Sequence, residues 1–289
     1  LETLGPWGGR VVDGTQISDF PQIKAHFPDA LGPHSLTGPI RVSGTQPGDS
    51  LAVDVLGLRT ITHGYNMVIA QPRGRGVLRD RFPEGHIRHF TLDPESGTTQ
   101  LGHHTLPLRP FLGIMGVAPA DDGVRSTVEP GTFGGNIDLA ELVAGSTLYL
   151  PVFRPGAGFF CGDGHGMQGD GEVNQTAIET GMESAHLRFR TLTGEHPANR
   201  LRTPRAETPA HLISLGFGAT LEDAARAAVD DMVTWLATDH TGAGMPAWGE
   251  PLTEQDGYTL CSLAASVRVT QAVNGVVGAH AMLPKNLNH

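Results

Sequence analysis

"GPIRVSGTQPGDSLAVDVLGL", residues 38–58, carries two apolar-rich runs joined by Pro47-Gly48-Asp49. Proline presets φ for a turn and glycine relaxes it, so the stretch reads as two strands joined by a turn. A second turn-and-strand unit, "LAELVAGSTLYLPVF" (139–153), has Ala144-Gly145 ahead of its alternating run. The likeness is too weak to make a repeat. Between the two, "HHTLPLRPFLGIMGVAPADDG" (103–123) is rich in proline and glycine and predicts short buried strands, and residues 176–193 read as a strand broken by Gly181. Glycine, at 39 of 289 residues, is about twice its usual share without a collagen period. The expected fold is mostly β, sandwich- or barrel-like, with an α+β C-terminal portion.

Helices are expected only near the C-terminal end. In 220–237, "TLEDAARAAVDDMVTWLA", Thr220 is the N-cap and Asp223 the capping-box acid, with Leu221, Ala225, Ala228, Met232 and Leu236 on one face. A second helix is expected over 253–265, opening at Thr253 with Asp256 as its N3 acid. "VRVTQAVNG" (267–275) then reads as a strand ending in an Asn-Gly turn. Residues 1–289 are taken as one unit.

A formal net charge of −10 argues against nucleic acid or an anionic membrane as partner. The basic stretch at 71–82 is interrupted by Asp80 and reads as a solvated loop. No apolar run approaches the roughly 20 residues of a membrane span, and the first residues show no secretory pattern, so a soluble, cytoplasmic chain is expected. Two cysteines, Cys161 and Cys261, are too few for a disulfide scaffold.

The chemistry concentrates in "CGDGHGMQGDGEVNQTAIET" (161–180), where Asp163, His165, Asp170, Glu172 and Glu179 stand without a lysine or arginine among them. Carboxylates crowded together cost energy unless a cation, a proton or open water offsets them. "GHGMQG" formally fits G-x-G-x-x-G, but the acidic residues that follow are wrong for a phosphate. An EF-hand loop fails at His165 and Met167. Asp163 and His165, two apart, share a face in extended chain, as two ligands of one ion would. Zinc suits an Asp/His set, and calcium is the alternative if oxygens dominate. A solvated acidic turn is the competing reading of the same residues.

"GDGHGMQGDGE" (162–172), "GGNIDLAELVAGSTLYLPV" (134–152), "GPIRVSGTQPGDSLAVDV" (38–55) and "RVTQAVNGVVGAHAMLPK" (268–285) together resemble the acetamidase/formamidase family, in order and in spacing. The resemblance implies hydrolysis of a short aliphatic amide to carboxylate and ammonia, on a β-rich fold, in a homodimer or higher oligomer. Relatives carry a further β-rich stretch before the point where this sequence starts, so an N-terminal stretch is expected to be missing. They commonly read G-D-G-H-A-A-Q where this chain has Gly166 and Met167, which changes the lining beside His165. Cys161 is not part of the family pattern. Its acidic neighbours are expected to raise its pKa, which makes it a wall residue and a poor nucleophile.

Amide cleavage needs an activated water, a stabilised oxyanion and a proton for the leaving nitrogen. On that basis Asp138, Asp163 and His165 are assigned to the metal, with Glu172 as general base and then acid and Glu179 as second choice. Positions seven apart in a straight strand face opposite ways, so both glutamates reach one site only if Gly171 or a bend intervenes. Backbone amides of Gly134, Gly135 or Gly164 are candidate oxyanion donors. Asn136 is either a substrate-amide contact or an ordinary turn residue. Gln168 and Asp170 are candidates for hydrogen bonds to the ligands. His34 is a candidate further ligand but is expected rather to be a surface loop histidine, and His63, His103 and His104 carry no assignment. The opposing function class is a non-catalytic β-rich module with a structural calcium site.

Overall fold

In a computed structural model, residues 1–195, 200–238 and 251–287 are described. After a short helix α1 (Phe20–Ala25), the strands are β1 (Leu36–Ile40), β2 (Ser50–Val68), β3 (His86–Thr91), β4 (Thr98–Leu101), β5 (His104–Pro107), β6 (Phe111–Gly116), β7 (Gly134–Asn136), β8 (Thr147–Pro151), β9 (Phe159–His165), β10 (Glu179–Leu192), β11 (Arg205–Glu207) and β12 (His211–Gly218). Helices α2 (Leu221–Ala237) and α3 (Glu254–Ala264) follow, then β13 (Ser266–Gln271) and β14 (Val277–Pro284). The fold is mostly β, and twelve of these strands join one curled sheet in the order β13-β14-β12-β11-β8-β2-β10-β9-β6-β7, with β1 on β9 and β3 on β2. β4 and β5 form a separate hairpin.

The 19-residue β2 organises the sheet. One edge pairs with β10 from Ser50 to Tyr65, while the other takes β8 over Ser50–Asp54 and β3 over His63–Val68. Ser50 to Val55 are all buried, because both faces of the sheet are covered there. Leu51, Val53 and Val55 join Leu148, Leu150, Met115, Phe159 and Ile213 in the main core. On the far face α2 and α3 lie on β12 and β14: Leu212, Ala281 and Leu283 meet Ala228, Met232, Trp235, Leu236 and Cys261.

Both helices begin at the expected caps, Thr220 accepting from the Asp223 N–H and Thr253 from the Asp256 N–H, each at 3.1 Å. Two expectations need correction. Leu221 is 47% exposed, and the buried stripe of α2 runs through Ala224, Ala228, Met232, Trp235 and Leu236. Helical structure is also present early in the chain, in α1 and in the 3-10 turns Trp7–Gly9 and Ile17–Asp19. Six residues opening with a proline in the first turn are too few to write a 3.6-residue period into the sequence.

The feature that builds the site is a change of partner along one edge of β9. β1 pairs with it as far as Gly162, opposite Leu36, and β10 takes over at Gly164 and His165, opposite Thr180 and Glu179. Asp163 stands at that handover, with φ of 25°.

Candidate metal and catalytic site

Three segments deliver the acids. β9 supplies Asp163 and His165; β10 opens on Glu179, directly opposite His165; and the loop between them supplies Glu172. Glu172 follows Gly171 at φ 87° and itself has φ 47°, which is the bend that lets both glutamates face one point. The loop is tied to β13 through Gly171 N–H to Thr270 O (3.3 Å) and Ala272 N–H to Gly171 O (3.0 Å). Asp138 comes from the turn after β7. Gly134 and Gly135, at φ 87° and 84°, open β7, and beyond it the Asp138 N–H donates to Gly113 O at 3.1 Å.

These side chains converge on one imidazole. His165 Nε2 lies 3.3 Å from Asp163 Oδ2 and 3.5 Å from Glu179 Oε2, and Nδ1 lies 4.0 Å from Asp138 Oδ1. Asp138, His165 and Glu172 offer ligand atoms within 4.8 Å of one another, as do Asp163, His165 and Glu179. All five residues are buried. Phe111 packs edge-on against the His165 ring, 4.9 Å between centroids.

Asp138 Oδ1, Asp163 Oδ1 and both His165 nitrogens are buried without a hydrogen-bond partner among the described residues. Leaving such groups unmatched costs about 1–3 kcal/mol each. A Cβ on Gly113 would lie 2.6 Å from Asp138 Oδ1, 2.8 Å from His165 Cε1 and 3.0 Å from Asp163 Oδ2, so only glycine fits in β6 beside these side chains. Buried carboxylate oxygens beside an imidazole nitrogen are a donor set that fits a divalent cation.

Without a cation the cluster is electrostatically crowded. Burial, then the Asp163 charge, pushes Asp138 up to about 7 against the pull of His165. Burial and the Asp138 charge raise Glu172 well above the usual carboxylate range. Asp163 is also buried, but the imidazoles of His34 and His165 hold it down at about 2. His165 is raised well above an ordinary histidine, because Glu179 and Asp163 outweigh its burial.

The remaining assignments separate. Gln168 Nε2 donates to Asp138 O (2.9 Å), supporting that turn. Asp170 instead pairs with Arg268, at 2.7 Å from both Nε and Nη2. Asn136 donates from Nδ2 to Val128 O (3.1 Å), its Oδ1 buried without a partner among the described residues. The Gly134 N–H is spent on Gly131 O (3.0 Å), which removes it as a free oxyanion donor. Gly164 is a packing position between Leu112 and Thr180, where a Cβ would lie 2.6 Å from Thr180 O. Cys161 is buried and its pKa is pushed up to about 11; the cause is burial rather than the acids two and more residues away.

Sequence reasoning ranks one site residue too low and misses another. His34 is no surface loop residue: its side chain is 12% exposed, with Nε2 3.7 Å from Asp163 Oδ2 and Nδ1 2.8 Å from Thr127 Oγ1. It sits just ahead of β1, so the handover on β9 carries it to Asp163. Asn274 Nδ2 donates to Asp138 Oδ2 at 2.6 Å. The Asn-Gly step expected to close a tight hairpin lies in a longer connection, where Gln271 Oε1 accepts the N–H groups of Val273 and Asn274 at 3.0 Å each.

The sequence model described as the acetamidase/formamidase family matches residues 7–126 and 120–279. Among curated proteins, the chain is 28% identical to a formamidase of Methylophilus methylotrophus, covering 60% of this chain and 54% of that protein. It is 31% identical to an acetamidase of Mycolicibacterium smegmatis, covering 51% of each. The chain thus spans about half the length of the curated relatives it matches. The crystal structure of an acetamidase from Yersinia enterocolitica superposes with a TM-score of 0.82 at 29% identity, covering 99% of this chain and 82% of that one. No helix among the described residues is long and apolar enough to cross a membrane.

Proposed function

The chain belongs to the acetamidase/formamidase family, and from that premise we propose that it hydrolyses a short aliphatic amide, of the formamide or acetamide kind, to carboxylate and ammonia at the His165 cluster. The observation that carries the reading is the set of buried, unpartnered ligand atoms on Asp138, Asp163 and His165, packed beside Gly113. Such an arrangement is costly in a merely structural turn and is resolved by a cation.

Asp138, Asp163 and His165 are the residues proposed to hold the ion, His165 binding through one ring nitrogen while the aspartate facing its other nitrogen orients the ring, with zinc the preferred ion and calcium the alternative. A bound zinc ion supplies Lewis acidity, polarising a carbonyl and lowering the pKa of a bound water to about 7. Glu172 is the proposed base for that water and then the acid for the departing nitrogen. As a carboxylate it takes the proton of the attacking water, and the acid so formed gives that proton to the nitrogen. Glu179 has Oε1 committed to the Ala177 N–H at 2.9 Å and Oε2 aimed at His165 Nε2, which suits holding the imidazole better than shuttling a proton. Asn136 Oδ1 is a free acceptor for the substrate NH2 group. Gly135 is the donor proposed for the oxyanion. A cytoplasmic homodimer or higher oligomer is the proposed setting.

The test pairs two substitutions. Glu172→Gln is expected to keep its metal while turnover of formamide or acetamide falls by about 10²–10⁴, the usual worth of general acid–base help. His165→Ala is expected to lose metal and activity together. Loss of metal in Glu172→Gln would make Glu172 a ligand, and an unchanged rate would remove it from the chemistry. A non-catalytic calcium module would show neither amide turnover nor a rate difference.

A further inference from the structure

Away from this cluster, β2 and β3 bring a second set of ligand atoms together. His63 lies opposite Thr91 and Tyr65 opposite His89, so His63 and His89 are diagonal neighbours on one face of the antiparallel pair. Their rings stack at 5.3 Å and 26°, with His63 Nε2 3.0 Å from His89 Nδ1. Asp13 reaches them from a turn closed by Thr15 N–H to Val12 O and Val12 N–H to Thr15 Oγ1, both 3.0 Å. The same turn presents Thr15 O to His89 Nε2 at 2.8 Å. A carbonyl only accepts, so His89 Nε2 carries the hydrogen and the neutral ring leaves its Nδ1 lone pair facing His63. One carboxylate oxygen of Asp13 and the two ring nitrogens all lie within 4.8 Å of one another.

We propose that Asp13, His63 and His89 form a second divalent-cation site, taking a first-row transition ion of the zinc type with its remaining position open to solvent. Two imidazoles and a carboxylate select zinc, nickel or copper over magnesium or calcium. Nitrogens bound at about 2.0–2.1 Å in a tetrahedron stand about 3.3 Å apart, so the observed pair needs to open by only a few tenths of an ångström. A histidine whose other nitrogen donates to a backbone carbonyl is the arrangement that orients metal-binding imidazoles. Both rings are half-buried, while Asp13 is exposed and next to Gly14 at φ 83°, which gives the ion an entry path and the carboxylate room to close. Binding takes the tautomer of His63 that carries its hydrogen on Nδ1 in place of Nε2, and it fastens the 12–15 turn to the β2–β3 pair.

The test is zinc stoichiometry and affinity of the chelator-stripped whole chain, compared with His89→Ala and Asp13→Asn. Wild type should bind one more zinc equivalent than His89→Ala at the same free zinc, and Asp13→Asn should weaken that equivalent by at least about 10–100-fold. His165→Ala should retain it. Because the readout is a difference, it stands whether or not the His165 cluster binds metal or hydrolyses amides. Equal stoichiometry and affinity in wild type and both variants would overturn the site and leave a hydrogen-bonded histidine pair. If His89→Ala does not fold, Asp13→Asn decides, since Asp13 is in an exposed turn; an unchanged affinity there refutes the proposal.

Discussion

Replacing Gly113 by alanine puts one methyl group where the ligand atoms converge. Gly113 is central in β6, and its carbonyl accepts from both Ile137 N–H (3.0 Å) and Asp138 N–H (3.1 Å), so the backbone has little freedom to retreat. A Cβ there would lie 2.6 Å from Asp138 Oδ1, 2.8 Å from His165 Cε1 and 3.0 Å from Asp163 Oδ2, well inside the roughly 3.5–4.0 Å of favourable contact between non-bonded carbons. Asp138 cannot simply swing away, because Asn274 holds its other oxygen at 2.6 Å. Overpacking of this kind costs about 1–3 kcal/mol, which a chain of this size tolerates. The expected result is a folded protein with a lowered melting temperature, metal affinity reduced about 100-fold or more, and amide turnover reduced in step with occupancy. Metal content by mass spectrometry and ammonia release from formamide measure both. Gly166→Ala is the control: its Cβ would meet Leu92 Cδ1 at 3.4 Å and Ile178 Cγ2 at 3.6 Å, so metal and rate should be kept. Wild-type metal and rate in Gly113→Ala would refute the placing of the ion beside Gly113.

Cys161→Ser should keep most activity, because the thiol is fully buried and held protonated; abolished turnover with metal still bound would instead make it the nucleophile. Asp231→Ala should cost about 3–5 kcal/mol in urea unfolding, since Arg205 loses bidentate bonds of 2.7 and 2.9 Å and stays buried beneath Trp235 without a counter-charge. A loss below about 1 kcal/mol would show that water reaches the guanidinium. Asp54 has its pKa lowered chiefly by Arg190, with Arg188 and Thr147 adding to it, so its contribution is present above the unfolded value of about 3.9 and lost as pH falls towards the lowered one. Stability of wild type should therefore fall below about pH 4 by about 1–3 kcal/mol more than that of Asp54→Asn, and parallel curves would sink this assignment.

What could be read from the sequence was whatever local spacing encodes. The Asp163-x-His165 alternation puts both side chains on one face whatever surrounds them, and the contact of 3.3 Å follows from it. The two helix caps are equally local. The glutamate pair was legible as a condition, that a bend at Gly171 must intervene, and the positive φ values at Gly171 and Glu172 meet it. His34, Asn274 and Gly113 were not legible, because each owes its place to strand order. His34 depends on β1 leaving the β9 edge at Gly162, Asn274 on a loop reaching back 136 residues, and Gly113 on β6 lying beside β9. Asp13 fails for the same reason: nothing near His63 in the sequence is acidic, and the acid arrives from a different turn.

The backbone strain at the site argues on the same side as the unpartnered atoms. Asp138, Asp163 and Glu172 have φ of 54°, 25° and 47°, in or beside a region that side chains other than glycine avoid, and holding a residue there costs about 1–3 kcal/mol. Three such residues within one buried cluster, each carrying a carboxyl group, make this a strained and electrostatically crowded part of the described residues. A solvated acidic turn would relax by pointing its acids at water and returning the backbone to ordinary φ. Here Gly113 O grips Asp138 from behind, Thr270 O grips Gly171 and β1 and β10 flank Asp163, so the surrounding sheet enforces the arrangement. A fold that holds acids apart from solvent and packs them around one imidazole has the pre-organisation that the proposed ion binding and proton transfer both require, which favours that proposal over packing alone for Glu172 and its neighbours.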